Sequence, residues 1–149
     1  MRVEIDQSGR MEQLDTDTVL AFANGQHGLL IIKTTVKRRL IQYSKKKAYP
    51  TKELVPIVFA ICVYLLVRNL SKYSVLEIDE EYSGYEELIR KSLKKLLDNK
   101  FEGQWEDSIR FVRIGKVSPA HLLCWSVHRM KRRPESYKKI AFEDIVKFL

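Results

Sequence analysis

Only two cysteines, Cys62 and Cys124, occur in 149 residues, and neither belongs to a Cys-x-x-Cys pair or sits beside paired histidines. That spacing excludes the common thiolate zinc sites and a disulfide framework. Both lie inside apolar helical patterns and read as buried free thiols, which fits a reducing compartment. Six glycines and four prolines are too few for a linker-rich or low-complexity chain. With 45% hydrophobic and 31% charged residues, the composition is that of one folded domain able to bury a sizeable core. No strongly apolar run reaches the roughly 20 residues that a membrane span needs. The nearest approach, Leu54–Val67 (LVPIVFAICVYLLV), has 14, contains Pro56 and stops at Arg68. A helix hydrophobic on every side is also what a central core helix looks like. The opening MRVEIDQSG lacks the apolar core of a secretory leader, so a cytoplasmic location is expected. Acids are the scarcer charge, 19 against 27 Lys and Arg, giving a net charge of +8. This balance favours an anionic partner, nucleic acid before a membrane surface.

What is present has a clear order. RVEIDQ alternates apolar and polar residues as a first strand, and Ser8-Gly9 turns the chain. Met11–Leu14 either pairs back or extends that strand. TVLAFA (18–23) and GLLIIKTT (28–35) are two more strands, joined through Asn24-Gly25, a strong hairpin signal. VKRRLIQYSKKK (36–47) spaces Val36, Leu40 and Tyr43 as a short basic helix, with a continuing strand as the alternative, and the apolar helix follows to about Leu70. SVLEID (74–79) is a fourth strand, 85–99 an amphipathic helix, and SIRFVRI (108–114) a fifth strand. Ser118-Pro119 opens a helix bearing Leu122, Leu123, Trp125 and Val127, and AFEDIVKFL closes the chain as a short helix. Strand–helix–strand units at this spacing want right-handed parallel crossovers. The expected fold is therefore α/β: a mixed five-stranded sheet, three antiparallel strands then two parallel, with helices on both faces. No repeat or linker divides residues 1–149, so one domain is expected, with a core over about 3–131 and a helical tail over 132–149.

That element order, with IDQSGR at the end of the first strand and VLEIDEEY at the end of the fourth, resembles the ribonuclease H-like superfamily. Its members include ribonucleases H, Holliday-junction resolvases, transposases and integrases, and many enter through a similar Asp-x-x-Gly or Asp-x-Ser-Gly. The resemblance covers about residues 3 to 131 and rests on element order more than on motifs. It implies metal-dependent hydrolysis of nucleic-acid phosphodiester bonds by two Mg²⁺ or Mn²⁺ ions about 4 Å apart, held by clustered carboxylates. On that implication Asp6 and Asp79 meet as strand neighbours and serve as catalytic and metal-binding residues. A third ligand comes from Glu53, at the start of the long helix, or from Glu80 or Glu81 just past the fourth strand. The last position falls on His121 in SPAHLLCW, where an acid is usual and some relatives carry histidine.

Each of these residues has an ordinary alternative role. Asp before Ser-Gly is common turn chemistry, Asp79–Glu81 reads as a solvated charge run, and Glu53 suits a helix N-terminus. His121 reads equally as a half-buried structural histidine, and His27 and His128 carry no assignment. Basic residues concentrate in two segments flanking the acidic 77–87. Arg38, Arg39, Lys45 and Lys46 lie in the first, Arg132 and Arg133 in the second, and these six are the candidate phosphate contacts. Tyr43, Tyr49 and Tyr137 lie among them, as base-stacking groups or as anchors to the core. The expected activity is that of a nuclease or resolvase. The rival is a non-catalytic nucleic-acid-binding or assembly module with a decayed acidic site; a basic peripheral membrane protein is a weaker third. The substrate type and the existence of a homodimer stay open.

Overall fold

A computed structural model describes residues 2–70, 75–97, 108–129 and 137–149. Its strands are β1 (Arg2–Ser8), β2 (Thr18–Ala23), β3 (His27–Ile32), β4 (Val75–Asp79), β5 (Ile109–Val112) and β6 (Lys138–Lys139). Five helices accompany them: α1 (Thr34–Lys46), α2 (Thr51–Val67), α3 (Glu86–Leu96), α4 (Pro119–Arg129) and α5 (Phe142–Val146). The sheet is mixed and six-stranded, in the order β5-β4-β1-β2-β3-β6. β1, β2 and β3 form an antiparallel meander, while β4 runs parallel to β1 and β5 parallel to β4. The meander closes at Asn24-Gly25-Gln26, where Gly25 takes the positive φ of 97° that favours glycine.

Two apolar layers cover the sheet. On one face Val3, Ile5, Leu20, Phe22, Leu30 and Ile32 join Leu76 and Ile78 against α2. The α2 helix is buried because apolar side chains surround it, and its Pro56 forgoes one backbone bond in the second turn. Ile89 and Leu93 of α3 complete this layer. The opposite face is smaller: Val19, Ala21, Leu29 and Ile31 meet Cys124 and Val127 of α4. Among the described residues no helix is long and apolar enough to cross a membrane.

Two expectations need correction. Met11–Leu14 forms turns rather than strand, and Met11 is buried there. The tail is not merely helical, because Lys138–Lys139 adds a sixth strand parallel to β3. Two lysines carry no period-2 signal; the strand forms because Ile140 N–H bonds the Ile31 carbonyl (3.0 Å) and Lys138 Nζ reaches the Leu65 carbonyl (3.0 Å). Ile140 and Ile145 then enter the main core, so the tail is part of the domain's packing. On α4, Ala120, Cys124 and Val127 are buried while Leu122 and Trp125 are exposed. The 120-124-127 spacing sets that face, and it suits the small residues of β2 opposite.

Gly9 follows β1 at φ +77°, and a Cβ there would lie 2.2 Å from the Asp17 carbonyl oxygen. Backbone cannot swing aside as a side-chain end can. Gly9→Ala is expected to destabilise the protein by more than about 1 kcal/mol. A denaturation midpoint equal to that of the parent would contradict this reading of the turn.

Candidate metal centre

The strand register brings the acids together. β1 pairs with β4 as Glu4↔Glu77 and Ile5↔Ile78, so one step further along each strand sets Asp6 beside Asp79. Because side chains alternate, Val3, Ile5 and Gln7 face the main core while Glu4, Asp6 and Ser8 face α4. All three polar residues on that face find a partner there. Glu4 Oε2 accepts from the Ser118 hydroxyl (2.9 Å), Asp6 Oδ2 meets His121 Nδ1 (2.7 Å), and Ser8 Oγ meets His128 Nδ1 (2.7 Å). This ladder fastens α4 along β1 and explains a carboxylate only 3% exposed at Asp6.

A third carboxylate completes the group. Oxygen atoms of Asp6, Asp79 and Glu81 all lie within 4.8 Å of one another. Asp79 is anchored by the Ile114 N–H on its Oδ1 (2.8 Å), and Asp6 by the Gln7 N–H on its Oδ1 (2.8 Å). Glu81 folds back through a tight turn in which its N–H bonds the Asp79 carbonyl (2.9 Å). Arg10 holds the Glu81 carbonyl (2.7 Å) from the turn after β1. Among the described residues no Lys or Arg forms an ion pair with these three carboxylates.

That crowding has a cost visible in proton affinity. Burial, the hydrogen bond with Asp79 and the Asp79 charge raise the Glu81 carboxyl to about 7. Burial likewise raises Asp6, against the opposing bonds from Gln7 N–H and His121. Three crowded carboxyl oxygen donors are the donor set of a hard divalent cation. Each carboxylate oxygen has two lone pairs, so the bonds at Asp6 and Asp79 leave room for an ion. This group can hold a metal ion.

The other candidate residues fall in different places. His121 reaches the site but spends Nδ1 on Asp6; since a carboxylate only accepts, Nδ1 carries the proton and Nε2 is left available. It stands behind a candidate ligand and is not a member of the carboxylate group. Glu80 is exposed, with its backbone N–H on the Val112 carbonyl (2.9 Å), because strand alternation sends it away from Asp79. Glu53 is exposed in the first turn of α2 and also lies outside the group. Arg38, Arg39, Lys45 and Lys46 are exposed along α1. Arg39 lies over the Phe142 ring (4.1 Å) and near Glu143 (3.8 Å), so it also helps seat α5. Tyr43 packs edge-on against Phe142, an anchoring role, whereas Tyr137 is exposed. Arg132 and Arg133 lie outside the described residues.

Two features had no signal in residue pattern. Lys37, one of a basic run, is only 3% exposed and bonds Thr18 Oγ1 (3.0 Å) and the carbonyls of Arg10 (3.2 Å) and Gln13. Burial lowers it to about 8, partly offset by the charges of Asp17, Asp15 and Glu12. His128 is the second: besides Ser8 it meets Thr16 Oγ1 (2.8 Å), clamping the chain between β1 and β2. Cys124 lies under the site with its thiol toward the Val19 carbonyl (2.9 Å), and burial pushes that thiol far up, so it is inert. Comparison with known protein families finds no family model that matches the chain, and comparison with curated proteins finds no match.

A metal ligand must be deprotonated, so the raised Glu81 carboxyl gives cation binding a pH dependence. Below pH 7 an incoming ion must displace a proton; above it Glu81 is already ionised. Mn²⁺ affinity is expected to rise about fivefold from pH 6 to pH 7 and less than about twofold above that for this group. Without a cation the sign for stability is opposite. The contribution of a carboxyl raised on folding is fully present below its ordinary 4.5 and is lost as pH rises through about 7. Calorimetric titration and melting curves across this range check both, and Glu81→Gln should flatten both.

Proposed function

We propose that the chain is a ribonuclease H-like phosphodiesterase that cleaves nucleic acid with Mg²⁺ or Mn²⁺. The observation that carries this reading is the convergence of Asp6, Asp79 and Glu81 within 4.8 Å at adjoining ends of two parallel strands. It is supported by the strand order β3-β2-β1-β4-β5, in which the first and fourth strands are neighbours. Divalent ions at such a site supply an activated water and offset the charge on the leaving oxygen. The chain's own residues do the rest. Asp6 and Asp79, each pinned by a backbone N–H, present fixed oxygens; Glu81 adds the third. His121 orients Asp6 through Nδ1 and has Nε2 available to hold a proton near the reacting phosphate. Arg38, Lys45 and Lys46 form an exposed basic strip suited to phosphates away from the cut.

The test is a cleavage assay on single-stranded, duplex, hybrid and junction substrates with Mg²⁺, with Mn²⁺ and with chelator. Cleavage that needs the metal, and that the chelator abolishes, is the expected result. Salt-sensitive binding with no cleavage under any condition would favour the binding-module reading instead.

A further inference from the structure

A cleft of about 510 Å³ shares one lining residue, Glu81, with the carboxylate group. We propose that this cleft receives a nucleobase turned out of the strand next to the scissile phosphate, so that the substrate is unpaired at the point of cleavage. This rests on the phosphodiesterase reading above and narrows its substrate. The volume falls in the range of about 300–1,000 Å³ that accommodates compact organic groups.

The walls suit a flat ring. Val55 and Pro56 of α2 line it together with Tyr82 and Tyr85. Tyr82 is fixed at both ends. Its hydroxyl donates to Gln7 Oε1 (3.1 Å) and accepts from the Met11 N–H (3.2 Å), while its ring packs on Phe59 (4.9 Å between centroids). Above that ring lies the Arg10 guanidinium, 5.4 Å from its centroid and tied to Glu12 (2.6 Å) and the Glu81 carbonyl (2.7 Å). The cleft is therefore built before anything enters it. Aromatic and guanidinium planes stack on bases of any sequence. Lys52 also lines the cleft and offers a cation to a flanking phosphate, while Arg10 is paired with Glu12.

Geometry then selects the strand. A base seated here cannot remain stacked in a duplex, and unpairing is cheapest where no partner strand exists. The occupant's phosphate would sit at Glu81, adjacent to Asp6 and Asp79.

Binding can be read without cleavage by fluorescence anisotropy, with Ca²⁺ replacing Mg²⁺. Three probes of equal length are compared: a single strand, its duplex, and an abasic strand that keeps every phosphate and loses every base. The single strand should bind at least about fivefold tighter than the abasic strand, given the stacking free energy of one base. It should also bind tighter than the duplex. Tyr85→Ala should collapse the intact-to-abasic ratio, and Tyr85→Phe should restore it; the Phe variant guards against a folding defect in the Ala variant. If all three probes bind alike and with steep salt dependence, the cleft proposal is overturned while the phosphodiesterase reading stands. If the ratio survives Tyr85→Ala in a protein that melts normally, the bases stack elsewhere and the proposal also fails. If no probe binds at low salt, both readings fall.

Discussion

Asp6→Asn is expected to reduce metal-dependent cleavage by more than about 100-fold, beyond the 10–100-fold cost of losing an outer partner of a metal ligand. The asparagine oxygen can still accept from the Gln7 N–H or from His121, so the local bonds need not collapse. What is lost is one of three negative charges in a group whose donors lie within 4.8 Å. Asp79→Asn should behave alike. His121→Ala removes only the group that orients Asp6, so its loss should stay within the 10–100-fold range. That ranking, with the two Asp variants well below the His variant, is the diagnostic result. An Asp6→Asn protein that cleaves as fast as its parent would place the activity elsewhere.

Lys37→Met should carry the largest stability penalty of any substitution in the basic run, roughly 3 kcal/mol. The ammonium serves three acceptors, and hydrogen bonds to a charged group are worth about 1.5–3 kcal/mol each before desolvation is recovered. Methionine matches the length and donates nothing, leaving the Arg10 and Gln13 carbonyls and the Thr18 hydroxyl without this partner. For a chain of this size the melting temperature should fall by about 6–12 °C. Because Lys37 ties down the segment that carries Arg10, and Arg10 holds the Glu81 carbonyl, cleavage should weaken as well. By contrast, Arg38→Glu on the exposed face of the same helix should leave the melting temperature unchanged and weaken salt-sensitive binding. An unchanged melting curve for Lys37→Met would refute the buried role.

How much of this could be read from sequence depends on how far each signal reaches along the chain. Asp6 and Asp79 were legible because a carboxylate ending an apolar strand is anomalous locally, and parallel neighbours then align the two ends. Asn24-Gly25 fixed its hairpin for the same local reason. The choice among Glu53, Glu80 and Glu81 was not legible. It turns on a backbone turn that returns Glu81 to the site after alternation has sent Glu80 outward. Lys37 looked like its neighbours, and only the loop between β1 and β2, 20 or so residues away, makes it a buried donor. Leu122, Leu123, Trp125 and Val127 mark α4 as apolar without saying which side is buried. The sheet face under it offers Val19, Ala21 and Ile31, and Ala120, Cys124 and Val127 are the residues α4 buries. The two-residue β6 leaves no pattern at all.

The most direct test of the metal centre is the anomalous signal of Mn²⁺ in crystals of the protein grown or soaked with that ion. Density is expected between Asp6, Asp79 and Glu81, with carboxylate oxygens about 2.0–2.3 Å away. His121 is expected to stay on Asp6 rather than on the ion. Crystals that show Mn²⁺ bound elsewhere, with the three carboxylates bare at pH 8, would contradict this placement.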